Sequence, residues 1–246
     1  YFDSGTRRFR EGWVAFLLLI LATGAGAFDL QGHRGARGLA PEGVATFRQP
    51  LQLIQKRYLR LAVPYLSAVV LAIFCAALAR QWMIDDSIPE RATFPQLVAH
   101  ALLLNGLLGY DALSAGVWYV AIDFQLFVLL LLALWVGQRA AGFGRALRHG
   151  GLFLVGALAL ASLFWFNRDA AWDNWALYFF GSYGLGAAAW WASGRGRLHA
   201  WLGAIACVTI AALVLDFRLR IAVALVVALG LGFARRSGWL VRFPEF

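Results

Sequence analysis

Residues Trp118–Phe127 read WYVAIDFQLF and open an apolar run that continues to Val136. An aspartate stands inside a segment otherwise fit to cross a bilayer. At the centre of a spanning helix such a charge costs about 2.5–3.5 kcal/mol on insertion scales, so these residues turn toward a bundle interior or a wet cavity. Asp123 therefore marks the inward face of this helix and is the first candidate for function.

Working outward, the whole chain shares this apolar character. Of its 246 residues, 61% are hydrophobic and only 14% charged, against about 25% charged in a soluble domain. Seven apolar runs emerge, at about 12–28, 61–80, 115–136, 151–167, 175–193, 199–215 and 220–234. Most approach the roughly 17–25 residues that a helix needs to cross. A β-barrel would require alternation, which is absent, and helices are the other way to satisfy backbone groups in lipid. The expected fold is an all-α, multi-pass transmembrane bundle. Eleven tryptophans fit rings anchored at two water–lipid interfaces.

Loop charges fix the expected count. Arg48, Lys56, Arg57 and Arg60 precede the 61–80 run, and Asp85, Asp86 and Glu90 outweigh Arg91 after it. Arg139, Arg145 and Arg148 follow the third run without an acid. Asp169 and Asp173 then outweigh Arg168, Arg195 and Arg197 stand alone, Asp216 balances Arg218, and Arg235 and Arg236 close the series. Basic and neutral-to-acidic loops alternate, which predicts six crossings with 137–150, 194–198 and 235–246 in the cytoplasm. A further run at 96–109 must then stay on one side as a re-entrant or interfacial piece. The net charge of +9 follows from this positive-inside pattern, and nucleic-acid binding is set aside.

The first run stands apart, because basic residues flank it on both sides. Arg7-Arg8-Phe9-Arg10, the apolar stretch 13–24 and Ala25-Gly26-Ala27 read together as a signal-like segment with a cleavage site, or else as a first span with poor flanks. Two units are expected: a signal-like segment with a basic loop over 1–43, and a membrane domain over 44–246. Cys75 and Cys207 fall within apolar runs without metal-ligand spacing and are read as packing residues. No metal site or bound cofactor is expected.

Two resemblances lie on either side of residue 43. FDLQGHRGARGLAPE, residues 28–42, resembles the mature start of a glycerophosphodiester phosphodiesterase. That resemblance implies acid–base chemistry for His33, a phosphate clamp for Arg34 and a metal ligand in Glu42. It ends at Gly43, and nothing downstream supplies the (β/α)₈ barrel that such chemistry needs. From Val44 the chain resembles the acyltransferase-3 family of membrane O-acyltransferases. The stretches TFRQPLQLIQKRYLRLAVPYL (46–66), GVWYVAIDFQLFVLLLL (116–132) and YFFGSYGLGAAAWW (178–191) carry that likeness. The family's first span holds an arginine followed by a histidine thought to act as general base, whereas the 12–28 run contains no histidine. The likeness covers the middle of the family domain, so a partial domain and a fused or generated chain are expected.

That family likeness implies a bacterial inner-membrane enzyme. It would move an acyl group from cytoplasmic acyl-CoA, its donor substrate, to a hydroxyl of a cell-surface saccharide. Arg57 and Arg60 sit three apart and share a helix face. They could grip a donor phosphate at the cytoplasmic mouth, or serve only as anchors for lipid headgroups. Asp123 would orient an arginine or a substrate hydroxyl, or form a structural ion pair with an arginine of a neighbouring span. Gln125 lies about 200° round the helix from Asp123 and shares its face with Trp118. Both join the candidate substrate-binding set. His100 is the histidine placed to replace the missing base, with an ordinary interfacial histidine as the alternative. The rival function is a non-enzymatic multi-pass protein, a transporter or an inactive partial acyltransferase.

Overall fold

The computed structural model describes residues 50–83, 90–113, 115–141, 150–193 and 198–237. The signal-like run 12–28, the phosphodiesterase-like stretch with His33, Arg34 and Glu42, and Arg145, Arg148, Arg195 and Arg197 lie outside them. Every regular element among the described residues is helical. Seven α-helices run in the order α1 (Pro50–Trp82), α2 (Phe94–Ala101), α3 (Ala115–Ala141), α4 (Gly150–Phe164), α5 (Ala176–Ser193), α6 (Leu198–Leu215) and α7 (Leu219–Arg236). Two short 3₁₀ turns, Phe166–Arg168 and Ala170–Trp172, join α4 to α5.

The long helices follow the apolar runs closely, with one exception. The polar stretch before residue 61 is helix as well, so α1 reaches 33 residues. Gln52, Gln55, Lys56 and Arg57 are good helix formers, and Pro50 is tolerated in the first turn. Pro64 lies inside α1 and withholds a donor from the Arg60 carbonyl. By length and composition α1, α3, α4 with its 3₁₀ extension, and α6 are each able to cross a membrane, and α7 is a shorter apolar helix.

Neighbouring helices alternate in direction. Gly137 of α3 lies against Gly150 and Gly151 of α4, so close that a Cβ at Gly137 would overlap the Gly151 backbone. Ser162 and Leu163 of α4 meet Gly181 of α5, and Ala159 meets Gly184. Here small residues let backbones approach, as packing within lipid requires. Trp118 of α3 and Phe179 of α5 stack edge to face at 5.8 Å, making those helices parallel. Arg220 and Gly232 of α7 lie beside Tyr178 and Ala189 of α5, so α7 is parallel too, while Leu202 and His199 of antiparallel α6 meet Gly232 and Phe233. The α5 helix is the hub, with thirteen of its residues buried.

This arrangement gathers 90–113, 165–175 and 216–218 at one end of the bundle. Arg139 and Arg236 stand at the other. The α2 helix is eight residues long, about 12 Å, well short of a bilayer core. Thr93 caps it in a capping box with Gln96. Its C-terminus closes in a Schellman motif, in which the Leu103 amide donates to the His100 carbonyl and the Leu104 amide to the Ala99 carbonyl. Leu103 takes the left-handed position that glycine usually fills, at φ 59°, and is fully buried there. Burial of the leucine outweighs a conformational cost of about 1–2 kcal/mol.

The core is apolar with a few buried polar groups, and the surface is apolar as well. Val214, Phe153, Trp82, Val226, Val63 and Phe74 are widely exposed. Asp123, His100, Asn105, Asn167, Ser162 and Thr209 are buried. A soluble monomer seldom exposes apolar area on this scale, and the pattern fits a bundle whose solvent is hydrocarbon. Cys75 and Cys207 belong to that outer surface. The packing role expected of them is corrected accordingly.

Candidate functional site

The α1–α3 register decides the site. If the apolar runs 61–80 and 115–136 lay level and antiparallel, Arg57 would face about residue 140, roughly four helical turns from Asp123. Instead an Arg57 Nη2 donates to an Asp123 carboxylate oxygen at 2.7 Å. Tyr58 meets the Phe124 ring at 5.8 Å, and Leu113, just ahead of α3, lies near Ala72, Ile73 and Ala76. The first turns of α1 therefore lie level with the middle of α3, with Arg57 and Tyr58 turned toward it and Leu51, Lys56 and Leu59 exposed, and its last turns run past the α3 N-terminus, where 90–113 packs against them. This corrects the expectation that Arg57 sits at a mouth with the basic loops. A carboxylate buried in an apolar core outweighs the level alignment of two greasy segments, because it must find a cation.

Arg57 is held twice. Its guanidinium also lies over the Phe127 ring, 4.4 Å from the centroid. The pair is largely enclosed, with side-chain exposures of 15% for Arg57 and 7% for Asp123. From the third wall, α5, comes Tyr183, fully buried in the same apolar cluster as Ile122 and Leu126, which flank Asp123 along α3. An ion pair and a phenol thus share a seam among three helices.

The other expected site residues scatter. Arg60, three positions on from Arg57, is exposed and does not join it. Trp118 is half-buried in the core, edge-on to Tyr119 and Phe179. Gln125 is partly buried, its Nε2 without an acceptor among the described residues. His100 is fully buried, and both ring nitrogens are engaged: Nδ1 lies 2.8 Å from the Gln96 carbonyl, and Nε2 accepts the Leu113 amide at 3.3 Å. The histidine therefore clasps 94–113 into one unit, which Tyr58 fastens to α1 by donating to the Ala101 carbonyl at 2.7 Å.

Three polar features escape the sequence reading. Tyr183 and Tyr65 have buried hydroxyls without partners among the described residues, and Asn105 is fully buried with both amide atoms unpaired among them. At the N-terminal end of α5, the Asn167 amide donates to the Tyr178 carbonyl at 2.7 Å, Arg220 caps the Asn167 carbonyl, and Arg218 makes a two-pronged contact with Asp216. A usable signal existed for the first group, since a tyrosine or asparagine within an apolar run must be satisfied by protein. Among the described residues no three His, Cys, Asp or Glu side chains converge to hold a metal ion. Comparison with protein-family profiles, curated proteins and solved structures finds no match to this chain.

Proposed function

We propose that the chain is a membrane O-acyltransferase of the bacterial inner membrane, crossing six times through α1 and α3–α7. It would transfer an acyl group from acyl-CoA to a hydroxyl of a cell-envelope saccharide or similar acceptor. The supporting observation is convergence: the three stretches that carry the acyltransferase-3 likeness contribute Arg57, Asp123 and Tyr183 to one buried seam. Residues far apart in sequence meet where a polar reaction could be shielded from water. Arg57 supplies positive charge for the donor, and Asp123 fixes its orientation. In balance, the acceptor hydroxyl oxygen bonds to the thioester carbon, the C–S bond breaks, and the hydroxyl proton leaves with coenzyme A as the thiol.

The test uses purified protein in vesicles with radiolabelled acetyl-CoA and a polysaccharide acceptor. Label should pass to the polysaccharide, and Arg57→Lys, with folding retained, should raise KM for the donor. No transfer by the folded protein would overturn the proposal. A second reading, a non-enzymatic bundle, is favoured by the His100 clasp, which leaves neither ring nitrogen available as a base.

A further inference from the structure

The outward face of α1 changes character partway along. Gln52, Lys56 and Arg60 fall four residues apart on one exposed line, which turns apolar from Val63 through Val70 and Phe74. Because Arg57 meets Asp123 and Tyr58 meets Phe124, Lys56 stands level with about residue 124 of α3. That is about 13 Å from the Ala115 end of α3 and about 25 Å from the Ala141 end, at 1.5 Å per residue. On a lipid-facing helix an ammonium at that depth is too far from either surface for its four-carbon stem to reach water. Protein does not neutralise the two cations either. Asp123 is the single acid in α1 and α3–α7, and Arg57 holds it.

We infer that Gln52, Lys56 and Arg60 line a water-filled cleft in the flank of the bundle, and that the cleft takes a water-soluble anion of the phosphate class. The inference rests on the crossing of α3–α7 proposed above, and acyl transfer is no part of it. Water solvates the exposed charges, and the ligand supplies the counter-charge that the helices lack. Lys56 offers three rotatable donors and Arg60 a planar fork one helical turn away, so both can reach one phosphate group. Two cations without an acid match a doubly charged anion. A lipid phosphate stays at headgroup level, whereas a soluble anion follows water to this depth. Arg60 stands three residues from Arg57, so the wall of the cleft passes within one helical turn of the buried ion pair.

The test places one cysteine, Gln52→Cys, in a Cys75→Ser/Cys207→Ser background in phosphatidylcholine vesicles, with reagent on both sides of the membrane. Two methanethiosulfonates, one bearing a sulfonate and one a quaternary ammonium, are compared by their rates relative to free cysteine. The folded protein should react, with the anionic reagent favoured by about 10-fold or more, and Lys56→Gln/Arg60→Gln should abolish that preference. Inorganic pyrophosphate should slow the anionic reaction. Leu160→Cys is the depth control. Leu160 is exposed on α4 at the same level, since Ala159 meets Gly184 and Trp118 meets Phe179. It should stay unlabelled until SDS unfolds the protein, and labelling of the folded form would overturn the crossing itself. With Leu160→Cys silent, a Gln52→Cys that reacts only in SDS, equal rates for the two charges, or no protection by pyrophosphate would each overturn the cleft. Reaction blocked in phosphatidylglycerol vesicles but open in phosphatidylcholine would assign the cations to lipid headgroups and overturn it too.

Discussion

At the residue scale the account turns on Arg57 and Asp123. Removing one partner strands a buried charge, whereas removing both leaves an apolar contact, so the two experiments should differ sharply. Arg57→Ala or Asp123→Ala should each destabilise by about 3–5 kcal/mol, while the combined Arg57→Met/Asp123→Leu should come close to the parent. Equilibrium unfolding in bicelles measures all three, and additive losses would contradict the pairing. His100 belongs to the same scale. His100→Leu should cost about 1–3 kcal/mol by leaving the Leu113 amide without an acceptor. The inward turn of Asp123 was legible, because a carboxylate in an apolar run has one inexpensive place to go. An arginine of a neighbouring span was among the partners expected, but not which one: loop charges report which side of a membrane a residue is near, not which helix slides past which.

At the element scale, contact between helix backbones makes the sharpest forecasts. Gly137→Ala would drive a methyl group into the α4 backbone and should destabilise by at least about 1–3 kcal/mol. Gly156, also helical, has nothing within 4 Å of a built Cβ, so Gly156→Ala should stabilise by about 0.5–1 kcal/mol. Thermal midpoints in one detergent compare the two directly, and similar shifts would argue against the α3–α4 approach. Helix positions were readable from hydrophobicity: 199–215 became Leu198–Leu215 and 220–234 became Leu219–Arg236. The early start of α1 was not, since hydropathy is blind to helix made from glutamine and arginine. The clasp within 94–113 was equally hidden, because it depends on a histidine accepting from a backbone amide thirteen residues away.

For the whole molecule, the claim is that lipid replaces water as the solvent of an apolar exterior surrounding a polar seam. The alternating helix directions match the alternating loop charges, the pattern expected if the proposed threading across a bilayer holds. Cys207 offers a native probe. It lies on the exposed face of α6, eight or nine residues from either end, about 12–14 Å along the axis. A thiol there should meet hydrocarbon, which a charged reagent does not enter. The decisive measurement reacts a membrane-impermeant charged maleimide with Cys207 in proteoliposomes, in a Cys75→Ser background, before and after unfolding in SDS. The account predicts no labelling until the protein is unfolded; rapid labelling of the folded protein would contradict it.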